Sequence, residues 1–193
     1  MRVRIMIIGI MLVLGFAVSG AQEQEALEKH PGYVDFKALG ISGDQEPLVE
    51  VNIKGSLLRL LAGSEMSDDA ELGSVLKRLL AIRVETYELD SLSNTDYKKT
   101  ADRVSKFLEA RGWETIVSAR ERGERAKICI KTQGDRIVGL FVISVERDEA
   151  AFVNIVGEVD PAEIGKLGHD LKISPLDSID LPTKKVLKKA KPH

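Results

Sequence analysis

The side chains able to do chemistry are few, and their densest group is acidic. Glu146, Asp148, Glu149, Glu158 and Asp160 crowd one short stretch, and two carboxylates at a suitable separation can serve as general acid and base on a glycosidic bond. Turns and helix caps use the same residue types, and those roles account for most of these positions. Metal chemistry is poorly supplied: His30, His169 and His193 have no ligand partner at i+3 or i+4, so zinc-site spacing is missing. For the same reason neither a serine nor Cys129 has a histidine within the well-patterned region to take its proton.

Cys129 is the single cysteine, which excludes an intramolecular disulfide. Lys127 and Lys131 flank it at a spacing that could activate a thiol, but the alternating pattern favours a small apolar residue in a strand. Lys54-Gly55-Ser56 is a fragment of a phosphate-binding loop without its other glycines or its terminal Lys-Ser, and it reads as a turn followed by a helix cap. No catalytic, cofactor-binding or metal-ligating set is assigned.

Asn154 interrupts the apolar run Phe152 to Gly157, where an amide needs partners for its donors and acceptor. With Glu158 and Asp160 it marks the expected interaction surface. Lys184, Lys185, Lys188, Lys189 and Lys191 form a basic tail; each lysine near an anionic bilayer contributes about 1 kcal/mol of attraction, so the tail is the expected contact with membrane or acidic polymer.

The elements that must position these residues follow from periodicity. Residues 22–47 are polar and interrupted by Pro31, Gly32, Gly40, Gly43 and Pro47, an arm expected to dock loosely through Tyr33, Phe36 and Leu39. Leu48 to Lys54 alternates as a half-buried strand. A short helix capped by Ser56 should carry Leu57, Leu60 and Leu61 inward, and a second, with Asp68 and Glu71 as a capping box, runs through Leu72, Val75, Leu76, Leu79 and Leu80. Ala81 to Leu89 is extended. The clearest helix follows, with Tyr97, Ala101, Val104, Phe107 and Leu108 on one stripe and Gly112 at its C-terminal end. Trp113 to Arg120, Ala126 to Thr132, Arg136 to Val145 and Ala151 to Val159 then form an antiparallel meander with short polar turns. Asp160-Pro161-Ala162-Glu163 starts a last helix. The expected fold is a single α+β domain over residues 48–168, a mainly antiparallel sheet with helices on one face, followed by a disordered basic tail over 169–193.

The first 21 residues carry another pattern. Arg2 and Arg4 precede the apolar run Ile5 to Val18, and Ser19 and Ala21 place small residues at −3 and −1 of a cleavage site. This is a three-part secretory signal, too short to be read as an anchor. Val18-Ser19-Gly20-Ala21 is similar to a lipobox, but Ala21 stands where the acylated cysteine would be. A mature chain starting near Gln22, periplasmic or secreted and not lipid-anchored, is expected. With 28 Lys and Arg against 30 Asp and Glu, the chain lacks the one-sided basic surface of a nucleic-acid binder.

Five segments together resemble the DUF4252 family, exported bacterial proteins named only as a domain of unknown function. They are His30 to Phe36, Glu50 to Gly55, Leu79 to Val84, Gly112-Trp113-Glu114 and Phe152 to Asp160, in family order along the mature chain. Ala21 departs from members that carry a modified cysteine. The resemblance implies a Gram-negative envelope location, with some members encoded beside sigma and anti-sigma factors, and it carries over no catalytic residue. The function expected is a non-catalytic periplasmic interaction module without cofactor, linked to envelope stress signalling, whose partner is an envelope protein or ligand; a carboxylate-dependent hydrolase of an envelope polymer is the alternative. Ligand identity and oligomeric state are not encoded in any motif.

Overall fold

A computed structural model describes residues 22–41, 45–63, 70–90, 93–121, 123–160 and 163. The signal segment, the basic tail, Asp68 and the helix expected after Asp160 lie outside the described residues. A helix over residues 22–28, α1, precedes β1 (Val49–Lys54), α2 (Gly55–Ala62), α3 (Ala70–Arg78), β2 (Leu79–Glu88), α4 (Ser93–Glu109), β3 (Trp113–Glu121), β4 (Glu124–Gln133), β5 (Arg136–Val145) and β6 (Glu149–Gly157).

The strands make one six-stranded sheet in the order β1-β2-β6-β5-β4-β3, every neighbouring pair antiparallel. The expected meander supplies four of the six strands, β3 to β6, and β6 returns beside β2. Because directly opposite residues share a face, the register sorts the side chains into rows. Val51, Val84, Val153, Val142 and Ile128 lie in one row, and Asn52, Arg83, Asn154, Phe141 and Cys129 lie in the next, on the other face.

Both faces are covered, which accounts for the near-continuous apolar character of β5 and β6. The valine row packs under Leu58, Val75 and Leu76 of α2 and α3. The opposite row packs under Ala101, Val104 and Leu108 of α4, together with Val34, Phe36, Leu39 and Ile41 of the N-terminal segment. The α+β class holds, but the helices are not confined to one face. Sequence periodicity shows that a helix has an apolar stripe without showing which side of the sheet it meets.

Three local expectations are corrected. Leu79 and Leu80 belong to β2, and α3 ends at Arg78. In α2, Leu58 and Ala62 are buried while Leu57 and Leu60 are 44% and 69% exposed. The helix follows β1 without a linker, so the exit of the strand sets its rotation, and four leucines in five positions leave that phase undetermined in the sequence. The N-terminal arm is not loose, since Leu27, Val34, Phe36, Leu39 and Ile41 are all buried.

The arm crosses β5 at backbone contact. A Cβ added to Gly32 would lie 2.1 Å from the Val138 carbonyl oxygen, and one on Gly139 would lie 2.5 Å from the Gly32 Cα. Only glycine at both positions lets the two chains approach this closely.

Candidate functional site

The expected carboxylate group divides. Glu158 and Asp160 follow the end of β6, whereas Glu146, Asp148 and Glu149 sit at its start, roughly 30 Å away at about 3.3 Å per strand residue. Glu158 is exposed and paired with Arg136 at 3.3 Å. Asp160, also exposed, accepts the Glu163 backbone N–H at 2.9 Å. Neither lines the pocket formed at the start of β6.

Asn154 is wholly buried, and its amide is spent on the fold. Its Oδ1 accepts the Val34 N–H at 2.9 Å, and its Nδ2 donates to the carbonyls of Gly32 and Leu140 at 3.0 and 3.1 Å. Arg83, directly opposite on β2, donates to the Val34 carbonyl at 2.7 Å and lies over the Phe36 ring at 4.5 Å. Asn154 therefore holds the arm in place and has no surface to offer a partner.

Cys129 is buried beside Thr115, 3.4 Å away. Burial pushes its thiol above the ordinary value, and the Thr115 contact and the Lys127 charge act against this without cancelling it. The flanking lysines do not make it a reactive nucleophile. His30 accepts the Gly32 N–H through Nδ1 at 3.1 Å, a turn contact. Among the described residues, no group of three or more His, Cys, Asp or Glu side chains could hold a metal ion, and no helix is long and apolar enough to cross a membrane.

The other end of the sheet does form a site. A pocket of about 490 Å³ is lined by Leu48, Glu88, Ser144, Glu146, Asp148, Glu149 and Ala151. The β5–β6 hairpin creates its rim: Glu146 N–H donates to the Glu149 carbonyl at 2.8 Å, and Leu89 N–H, just past β2, donates to the Asp148 carbonyl at 2.7 Å. Its floor is Ser144 opposite Ala151 on neighbouring strands. Thr86, opposite Ala151 in that row, has a buried hydroxyl oxygen without a hydrogen-bond partner.

The pocket is electrostatically strained. Glu88 and Glu149 are directly opposite across β2 and β6, where like charges are unfavourable. Burial, reinforced by the charges of Glu146 and Asp148, raises the Glu149 carboxyl above its ordinary value. Leu48 stands at the mouth, 63% exposed. Glu146, Asp148 and Glu149 stand together in the sequence, whereas Glu88 and Leu48 are distant in the chain, carry no local signal of a site and join the others only through strand pairing.

A family profile described as Domain of unknown function (DUF4252) matches residues 42–167, more than half of the chain. Comparison with curated proteins gives no match.

Proposed function

The chain belongs to the DUF4252 family, and from that premise we propose that it is an exported, non-catalytic interaction module of the bacterial periplasm, linked to envelope stress signalling. The observation that carries the reading is the gathering of Glu88, Glu146, Asp148 and Glu149 around one pocket with exposed Leu48 at its mouth. Carboxylates focused in a concave site attract cations, and an apolar rim beside them fits a protein segment that presents a lysine or arginine next to an apolar side chain. The signal pattern at the N-terminus supports export. The lysines at 184, 185, 188, 189 and 191 supply a second contact, with an anionic surface.

Crosslinking and mass spectrometry on the tagged protein in its native periplasm tests the reading. A specific partner crosslinked near Glu146 to Glu149, and lost when Glu88 and Glu149 are changed to Gln, supports it. Failure to recover any partner counts heavily against it. Deleting Lys184 to His193 should abolish sedimentation with anionic vesicles, and unchanged sedimentation removes the tail from the account.

One feature favours the hydrolase reading in second place. The carboxyl of Glu149 is raised by burial and by the charges of Glu146 and Asp148, as a general acid's is. Turnover of an envelope polysaccharide that disappears in Glu149→Gln would establish it, and the absence of Glu149-dependent turnover removes it.

A further inference from the structure

The sheet ends at β1. Among the described residues β1 has a single strand neighbour, β2, and a terminal strand offers on its outer side the backbone groups to which a further strand can add. The exposed apolar side chains gather beside it: Leu48 and Val49 on the strand's approach and first position, and Leu57 and Leu60 on the helix that follows. Globular surfaces seldom collect large apolar residues in one place without a contact to make.

The sequence of this strand is complementary to itself. Antiparallel pairing of β1 with a second β1, centred on Asn52, sets Glu50 opposite Lys54 of the second copy, and Lys54 opposite its Glu50. Asn52 meets its own equivalent, where two amides can donate and accept reciprocally. On the other face of the sheet, Val51 meets Ile53 of the second copy in continuation of the valine row. Val49 meets Gly55 of the second copy, where α2 begins, and this brings Leu48 and Val49 toward the exposed leucines of that helix.

A two-fold axis requires this kind of self-complementarity, and neighbouring registers lose it. Centring on Val51 sets Glu50 against Asn52 and Leu48 against Lys54. Centring on Ile53 sets Asn52 against Lys54 and leaves Glu50 outside the ladder.

We propose that the protein forms a symmetric homodimer by antiparallel pairing of β1 with β1 of a second copy about Asn52, joining two six-stranded sheets. The occupant of the β1 edge is a second copy rather than another protein because the charge pattern Glu50, Asn52, Lys54 is neutralised by its own reverse. The dimer shares Leu48 with the rim of the acidic pocket but does not depend on the pocket's carboxylates.

The test uses the purified full chain. Sedimentation velocity should show a dimer, and Glu50→Lys should weaken it by about tenfold, because directly opposite like charges then appear twice per interface. The exchanged variant Glu50→Lys/Lys54→Glu should restore it. Asn52→Cys should give a disulfide-linked dimer under mild oxidation, since directly opposite Cβ atoms come within about 5 Å. Glu50→Cys alone should not, and mixing Glu50→Cys with Lys54→Cys copies should give the heterologous crosslink. Cys129 is buried and does not compete. A monomer at all concentrations overturns the proposal, as does a dimer insensitive to Glu50→Lys or equal crosslinking at 50, 52 and 54.

Discussion

Asn154, in the middle of β6, accepts the backbone N–H of Val34 at 2.9 Å across a separation of 120 residues. The same side chain donates to Gly32 and Leu140, so one buried amide joins the arm, β6 and β5. Arg83 completes the grip from β2 by donating to the Val34 carbonyl. The N-terminal arm is thereby built into the core face that α4 also covers.

Replacing Asn154 with Leu should destabilise the protein by about 3 kcal/mol, because three buried polar groups lose their partner together. Urea unfolding measures the loss, and hydrogen exchange should show the Val34 amide deprotected well before those of β5.

Gly32→Ala should cost about 1–3 kcal/mol, as overpacking does in a close-packed interior, since the new Cβ would fall 2.1 Å from the Val138 oxygen. The cost should shrink in the Asn154→Leu background, where the arm is already released. Additive losses in a double-mutant cycle would show that the two contacts act independently.

Glu149 predicts a pH dependence with a definite sign. Its folded carboxyl titrates above the ordinary value, so the folded state binds its proton more tightly than the unfolded state does. The stability linked to this proton is present in full below the unfolded value, and it is lost as pH rises through the folded one. Glu149→Gln should therefore be more stable than the parent at neutral pH, and the advantage should vanish in acid. Thermal unfolding from pH 3 to 8 measures it.

Asp102 behaves oppositely. Burial alone would raise its carboxyl, but hydrogen bonds from Lys127 and Arg125, and their charges, outweigh burial and hold it below the ordinary value. Its contribution is present at neutral pH and is lost as pH falls through the folded value. Asp102→Asn should cost about 1 kcal/mol at pH 7, the ion pair being partly screened by solvent, and little in acid.

Strand and helix positions were largely legible because they depend on local periodicity. The alternation of Val49, Val51 and Ile53, the stripe Tyr97 to Leu108 in α4 and the four-strand run from Trp113 all appear at or within a few residues of their expected places. Family resemblance was legible for a similar reason, in short segments whose order survives along the chain. Cys129 as a small strand residue needed only its neighbours.

What the linear pattern could not carry was pairing between distant segments. A period of two says that Asn154 points away from Val153, yet only the β2–β6 register and the crossing of Gly32 over Gly139 give its amide three partners. Glu88 and Glu149 are unrelated in sequence and become opposed because β6 pairs with β2 instead of ending the meander at an edge. The rotation of α2, which exposes Leu57 and Leu60, follows from how β1 leaves the sheet. Local spacing determined the elements of this protein and the class of its fold. Long-range strand pairing and docking, whose free energy arises only when remote surfaces meet, decided the acidic pocket, the clamped arm and the β1 edge.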